Sequence, residues 1–250
     1  WLNNYLDATK YKDIDLIVEL IGGAEGPAKK LVFNALNNKK HVVTANKALI
    51  AKYGDQLAKI AEKNKVNLEF EASVCGGVPI IRSLKESLIA NKISKIYGIF
   101  NGTSNYILSS MDKQKKSFND VLSNAKKLGY AESNPSADLN GDDVSSKLKI
   151  LSSLCFSSFL NNNIYVEGIK NIDRVDIDNA NKLGYKIKLL GFAELLDNKI
   201  YQRVHPTLIK KESYVASIDG VLNAVIVDGK PVGQSTIQGE GAGPVATTSA

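Results

Sequence analysis

The apolar pattern changes character once along this chain, near residue 74. Before that point it is made of short continuous runs and longer helical periods. Asp15 to Ile21 (DLIVELI) is an apolar run with one interior acid, closed by Gly22-Gly23. A run of that length between turn residues predicts a buried parallel strand. Leu31, Val32, Ala35 and Leu36 then share one face of a helix predicted over about 27–37, with Pro27 in its first turn. His41 to Thr44 predicts a second strand, about 49–63 a second helix with Leu57, Ile60 and Ala61 inward, and Val66 to Glu71 a third strand. Strand, helix, strand, helix, strand in ~60 residues means βαβ units and a parallel sheet. Ligands in such sheets sit at the carboxyl ends of the strands. Here those ends are Gly22-Gly23, Thr44-Ala45-Asn46-Lys47 and Glu71-Ala72-Ser73.

After residue 74 the rhythm loosens. A helix is predicted from Val78 to Leu88, and a half-exposed strand from Lys92 to Phe100. Asn101 to Ser104 caps a helix through Met111, and Ser117 with Asp120 forms a capping box that opens a helix ending at Gly129. Pro135 keeps the next stretch extended, and Val144, Leu148, Ile150, Leu151 and Leu154 set a helical period from about Gly141. Strand signals at Ile164 to Val166, a helix near 177–183 and hairpin-like strands over 186–205 and 221–236 complete the chain. The fold class is therefore α/β: part of a doubly wound, Rossmann-like parallel sheet, followed by an α+β unit with an open mixed sheet.

Composition narrows the function classes. In 250 residues the apolar share is 44% and the charged share 23%, as in ordinary globular proteins. The 32 basic residues against 26 acidic ones are spread along the whole chain, which argues against a nucleic-acid arm while favouring phosphorylated ligands weakly. No stacking-aromatic motif accompanies the lysines, so an RNA-binding module is disfavoured. No apolar run approaches the ~18 residues of a membrane span, and Trp1 to Asn4 carries no signal-peptide pattern. Two cysteines without a C-x-x-C imply neither a disulfide framework nor structural zinc, and a cytoplasmic setting is the default.

The densest chemistry lies in Ala125 to Lys147 (AKKLGYAESNPSADLNGDDVSSK), with carboxylates at Glu132, Asp138, Asp142 and Asp143 before Lys147. Asp143 and Lys147 are four apart and share a helix face, about 6 Å apart along the axis at a rise of ~1.5 Å per residue. By itself such a pair is a solvated bridge, and acids before a helix are caps. An acidic loop followed by a helix bearing Asp and Lys can also hold an amine and protonate an oxygen. Lys47, at a strand's carboxyl end, can bind a carboxylate or act on an oxygen. The Gln238 to Pro244 turn, rich in glycine before a helix, places free N–H groups at an anion or a ring amide.

Taken together, Ala125, Gly129, Tyr130, Ala131, Asn134, Pro135, Asp138, Leu139, Gly141, Asp143 and Lys147 resemble the signature of homoserine dehydrogenases. The resemblance extends to Asn46-Lys47, to Asn101-Gly102-Thr103 and to Gln238–Pro244. It implies hydride transfer between NAD or NADP and the L-homoserine/L-aspartate 4-semialdehyde pair, in threonine, methionine and isoleucine biosynthesis. Lys147 would be the proton donor, with Asp143 positioning it and Lys47 assisting. Glu132 and Asp138 would hold the substrate ammonium, with Gly102, Thr103 and Tyr130 lining its pocket, and Gly22, Gly23, Asn46, Lys47, Gly239 and Gly241 would face the cofactor. Glu71 to Pro79 resembles the family's monovalent-cation loop, which implies Na⁺ or K⁺ on the carbonyls of Glu71, Val74, Gly76 and Val78. A donor lysine is expected to have its pKa pulled toward neutrality by burial or by Lys47.

The same resemblance divides the chain into 1–73, part of the dinucleotide-binding unit completed by 237–250, and 74–236, the catalytic and dimerisation unit of a homodimer or higher homo-oligomer. No Gly-x-Gly-x-x-Gly turn is present, so a βαβ unit of at least ~30 residues is expected upstream, and the chain reads as a piece of a longer protein that binds NAD or NADP feebly by itself. Two alternatives stay open: a different NAD(P)-dependent amino-acid dehydrogenase on the same core, which need not keep Asp143 with Lys147, and a non-catalytic remnant. Cys75, a conceivable nucleophile, has no histidine near it in sequence and reads as a small buried residue.

Overall fold

The computed structural model describes residues 1–156 and 164–250. It contains two sheets. In the first, β1 (Leu16–Glu19), β2 (His41–Thr44) and β3 (Leu68–Glu69) run parallel in the order β1-β2-β3. The crossovers are α1 (Pro27–Asn37) and α2 (Lys47–Asn64). Each buries the face its apolar period marks: Leu31, Val32, Ala35 and Leu36 on α1, Leu49, Ile50, Leu57 and Ala61 on α2. Asn46 caps α2 by accepting the Leu49 N–H at 3.1 Å, and Lys65 ends it in the left-handed region.

In β1, Ile17 and Glu19 point inward, while Leu16 and Val18 on the other side are 47% and 55% exposed. One expectation is corrected here. The third strand is shorter than the Val66–Glu71 span, because Glu71 turns away in a short 3-10 segment (Glu71–Ser73). Its carboxylate accepts the N–H groups of Ile81 and Arg82 at 2.9 and 2.7 Å, so it caps α3 (Ile80–Arg82), which continues as a π turn over Ser83–Ser87.

The second sheet has six strands: β4 (Lys92–Ile99), β5 (Tyr165–Val166), β6 (Tyr185–Leu196), β7 (Lys199–Lys210), β8 (Leu222–Lys230) and β9 (Gly233–Glu240), in the order β5-β7-β6-β4-β8-β9. All neighbours are antiparallel except β5 with β7. Its helices are α4 (Gly102–Gln114), α5 (Phe118–Lys127), α6 (Ser136–Asn140), α7 (Asp142–Phe156), α8 (Arg174–Lys182), α9 (Tyr214–Ser217) and α10 (Pro244–Ser249). The cap of α4 is Asn101, which accepts from Ser104 N–H at 2.8 Å, rather than Thr103 or Ser104. Ser117 caps α5 as expected. Pro135 does not hold its segment extended: it starts α6, since a proline suits a helix's first positions.

One core joins both units, running from Leu36, Val42 and Leu57 through Val74, Ile80 and Phe100 to Leu148 and Val225. Phe100 is fully buried, worth ~1.5–3 kcal/mol of burial for such a side chain. α7 packs against α2, β4 and β6, so it ties the two sheets together and carries Asp143 and Lys147 into the seam.

Candidate active site

A cleft of about 700 Å³ opens at that seam, where the end of β2, the Ser73–Gly76 turn, the start of α4, the α5–α7 segment and the loop before α10 meet. Lys147 and Asp143 form its floor. They lie a helical turn apart on α7 and are 8% and 7% exposed. Lys147 Nζ is 2.8 Å from Asp143 Oδ2 and donates to the Phe100 carbonyl at 2.7 Å. Lys47, the first residue of α2, reaches the other oxygen, Oδ1, at 3.1 Å. One carboxylate thus receives both lysines.

Asn101 completes the floor. Its Nδ2 donates to Asp143 Oδ2 at 3.0 Å and to Asp138 Oδ1 at 2.7 Å, so one amide bridges both aspartates. The sequence placed Asn101 at a helix cap and in the Asn101-Gly102-Thr103 stretch of the resemblance, but its bridge between two aspartates, made by one amide end while the other caps α4, leaves no composition signal.

Electrostatics follow from the geometry. Burial raises the Asp143 carboxyl, but the charges of Lys147 and Lys47 and the hydrogen bonds from Lys147 and Asn101 outweigh it and hold the pKa at about 2. Burial is the largest single effect on Lys147 and lowers it, but the charge and hydrogen bond of Asp143, with smaller help from Cys75 and Asp138, together exceed it and the net direction is upward. The expected pull toward neutrality is therefore overturned. Asp138 moves upward, chiefly because it is half-buried and also because Asp143 is near, with Asn101 opposing. Burial likewise raises the Cys75 thiol, partly countered by the Lys147 charge. Cys75 lines the cleft as a protonated, inert group and not as a nucleophile.

The other residues expected at a site divide into two groups. Gly102, Thr103, Tyr130, Glu132, Gly76 and Gly241 do line the cleft. Thr103 Oγ1 donates to the Tyr130 carbonyl at 2.7 Å, pinning the loop after α5 to the start of α4, and Glu132 stands on the exposed rim. Gly22, Gly23, Asn46, Gly239, Glu71, Val74 and Val78 are not on its wall. Gly22 and Gly23 shape the loop after β1, and Asn46 Nδ2 donates to the Gly23 carbonyl at 2.8 Å. Behind them sits Glu19, which the sequence showed only as an acid inside an apolar run. Its fully buried carboxylate accepts the Ile21 and Gly22 N–H groups at 2.7 and 2.9 Å and the Thr44 hydroxyl at 2.6 Å.

Gly76, N-terminal to α3, and Gly241, before α10, approach main chain to main chain: a Cβ on Gly76 would lie 3.0 Å from the Gly241 carbonyl, and one on Gly241 would collide with the Asn223 side chain. Gly77 N–H donates to the Glu240 carbonyl at 2.9 Å across the same contact. Gly76 and Gly241 thus give the cleft a wall of bare backbone, beside Ala45 after β2 and Ala72 and Ser73 after β3. The Glu71–Val78 turn is bent at Cys75 and Gly76, with φ of 55° and 32°. The Glu71 carbonyl accepts from Val74 N–H at 3.2 Å and the Val78 carbonyl from Ile80 N–H at 2.7 Å. Each retains a second lone pair, compatible with a weakly held ion. Among the described residues no group of three or more His, Cys, Asp or Glu side chains could hold a metal.

Comparison with known proteins agrees with the motif. Residues 79–250 match the family model described as homoserine dehydrogenase, and residues 3–71 the one described as the homoserine dehydrogenase NAD-binding domain. The chain is 49% identical over 240 residues to a homoserine dehydrogenase of Neisseria gonorrhoeae, covering 96% of this chain and 55% of that protein. A crystal structure of a homoserine dehydrogenase from Thiobacillus denitrificans superposes with a TM-score of 0.93 at 48% identity, over 98% of this chain and 57% of the other. A hyperthermophilic archaeal homoserine dehydrogenase in complex with NADPH superposes at 0.84 with 25% identity, over all of this chain and 72% of that one. The chain thus spans about half the length of the curated relatives it matches. Among the described residues no helix is long and apolar enough to cross a membrane.

Proposed function

Because this chain belongs to the homoserine dehydrogenase family, we propose that the protein containing it catalyses NAD(P)-dependent interconversion of L-homoserine and L-aspartate 4-semialdehyde, with the Lys147–Asp143–Asn101–Asp138 floor as its chemical centre. The observation that carries this is one buried carboxylate, Asp143, gathering lysines from two helices, α2 and α7, at the base of a cleft. A bound nicotinamide cofactor supplies or accepts the hydride.

The chain's own residues supply the proton and the orientation. Lys147 is held charged by Asp143, and its Nζ faces the cleft beside the Phe100 carbonyl. A raised pKa does not disqualify it. When the semialdehyde carbonyl is reduced, its oxygen becomes an alkoxide, a base comparable to hydroxide and far stronger than an amine, so protonation by an ammonium runs downhill. Lys47, also on Asp143 and part-exposed, favours the same developing negative charge. Asp138 and the rim carboxylate Glu132 also line the cleft, and carboxylates there suit an α-ammonium group. An added cation there would offset the burial that now raises Asp138.

The Gly76–Gly241 wall supports NAD or NADP as the cofactor, and the Glu71–Val78 turn supports Na⁺ or K⁺ on main-chain carbonyls. The two sheets support division into 1–73 with 237–250, and 74–236, although residues 237–240 also finish β9. Apolar side chains left exposed on the six-stranded sheet, Tyr165, Tyr201 and Leu208, support a homodimer or higher homo-oligomer. Two free cysteines support a cytoplasmic setting, and the family supports a place in threonine, methionine and isoleucine biosynthesis. The test is a steady-state assay of the full-length protein with semialdehyde and NADPH or NADH, following nicotinamide absorbance. Turnover abolished by Lys147→Ala supports the reading. An active Lys147→Ala enzyme, or an inactive parent that still folds and binds NADPH, overturns it.

A further inference from the structure

A second buried polar cluster lies away from the cleft, and the helix between them links the two. Lys188, in the middle of β6, is 1% exposed. All three of its ammonium hydrogens have acceptors: Asn105 Oδ1 at 3.0 Å, the Ile218 carbonyl at 2.6 Å and Asp219 Oδ1 at 2.8 Å. Lys188, Asn105 and Ser109 hold one loop, Ile218–Leu222, which leads into β8. Asn105 Nδ2 donates to the Ile218 and Leu222 carbonyls, both at 3.2 Å, and Gly220 N–H donates to Ser109 Oγ at 3.1 Å. Lys113 reaches Asp219 at 2.9 Å from the solvent side.

The α4 residues in this set follow one period. Asn101, Asn105, Ser109 and Lys113 recur every four residues, so they form a polar stripe down one helix face. The stripe begins at the amide that bridges Asp138 and Asp143, and it ends on the Lys188 cluster. The loop it fastens returns to the cleft. Val221 is on the cleft wall, and its carbonyl lies so close to the first residue of α4 that a Cβ on Gly102 would sit 2.6 Å from it. A buried, fully hydrogen-bonded lysine fixes such a loop more firmly than packing would, since every group it releases would be left unpaired.

We propose that Lys188 is a positioning residue for the substrate side of the cleft: through Ile218 and Asp219 it fixes the Ile218–Leu222 loop, whose Val221 main chain sets the place of Gly102 and Asn101. The kinetic part of its test rests on the function proposed above, and the structural part does not. In the full-length protein, Lys188→Met is expected to raise the KM for homoserine about 10-fold, with kcat and the KM for NADP within about threefold, as loss of ground-state positioning without loss of chemistry would do. Ser109→Ala, which removes one loop bond and leaves the charges in place, is expected to move the homoserine KM the same way by about threefold. Hydrogen exchange gives the reading that does not depend on turnover: amides of 219–222 and 102–104 should exchange about 10-fold faster in both variants, with those of α7 unchanged. Unchanged exchange at 102–104 in Ser109→Ala overturns the proposal, whether or not Lys188→Met folds and whether or not the parent turns over homoserine. So does an equal rise of the KM values for homoserine and NADP.

Discussion

Among the described residues two lysines are buried, Lys147 in the cleft and Lys188 in the six-stranded sheet, and each lies 2.8 Å from an aspartate. Their pKa values nevertheless move in opposite directions. Burial lowers both. At Lys147 burial is the largest single effect, but the charge and hydrogen bond of Asp143, with smaller help from Cys75 and Asp138, together exceed it and the net shift is upward. At Lys188 burial prevails over Asp219, and the charges of Lys186 and Lys113 add to it. Lys147 has two carboxylates nearby against one further lysine on Asp143. Lys188 has one carboxylate, more exposed than Asp143, against two further lysines. The sign is set by how the surrounding charges balance, since attraction in a dry site is less screened than across a wetter one. A donor that must stay charged sits where carboxylates outnumber its rivals, whereas a residue that only holds a loop tolerates the opposite.

The largest expected effect comes from removing the charged donor. Lys147→Ala in the full-length protein should lower kcat by ~100-fold or more, the usual scale of lost acid catalysis, whereas Lys188→Met should leave kcat nearly as it was. Stopped-flow or steady-state measurement with saturating cofactor decides it. Comparable kcat losses at the two lysines would erase the distinction between them.

The next effect separates the ends of the α4 stripe. Asn101→Ala strips a shared donor from Asp138 and Asp143, and should cost ~1–3 kcal/mol of stability, the penalty for buried acceptors left unpaired, together with about a 10-fold drop in kcat/KM. Asn105→Ala releases the Ile218 and Leu222 carbonyls and one acceptor of Lys188. It should cost similar stability with a smaller drop in kcat/KM, carried by KM. Urea unfolding alongside kinetics of both variants tests this. A larger kcat loss for Asn105→Ala would reverse the roles of the two ends.

How much of this could be read from the chain differs between the same two regions. The Lys147 centre was legible because its acid, turn and helix residues lie within one window, Ala125 to Lys147, where local spacing fixes their relation. The family resemblance brought Lys47 to the same site, but its ion pair with Asp143, across 96 positions in sequence, was not read from the chain. Nothing marked the Lys188 cluster, since it is assembled from β6, α4 and the loop before β8, and a lysine inside a strand reads as solvent-facing. The helices α1 and α2 were placed within two residues, their apolar periods being strong. Glu19 escaped because it acts by satisfying backbone and side-chain groups that the sequence does not bring near it.

The smallest expected effect is the most specific to the comparison, and it lies on the alkaline side. At acid pH the two regions behave alike. Asp143 and Asp219 are both held at about 2 against an ordinary 3.8, so each contributes stability above 3.8 that is lost as pH falls toward 2. At high pH they should part. Lys147 binds its proton more tightly folded than unfolded, so its contribution is fully present below 10.5 and declines as pH rises above that value. Lys188 has its folded pKa below 10.5, so between the two values the unfolded chain holds more protons and this group makes stability rise with pH. Thermal unfolding of the parent, Lys147→Met and Lys188→Met from neutral pH to just above 10.5 reads both slopes. Relative to the parent, Lys188→Met should lose ground as pH rises toward 10.5, and Lys147→Met should gain it beyond. The differences should be a few degrees at most, because in a protein of this size 1 kcal/mol moves Tm by only ~2–4 °C. Parallel curves for the two variants would mean that the charges around the two lysines are balanced alike, and the distinction drawn between them would fail.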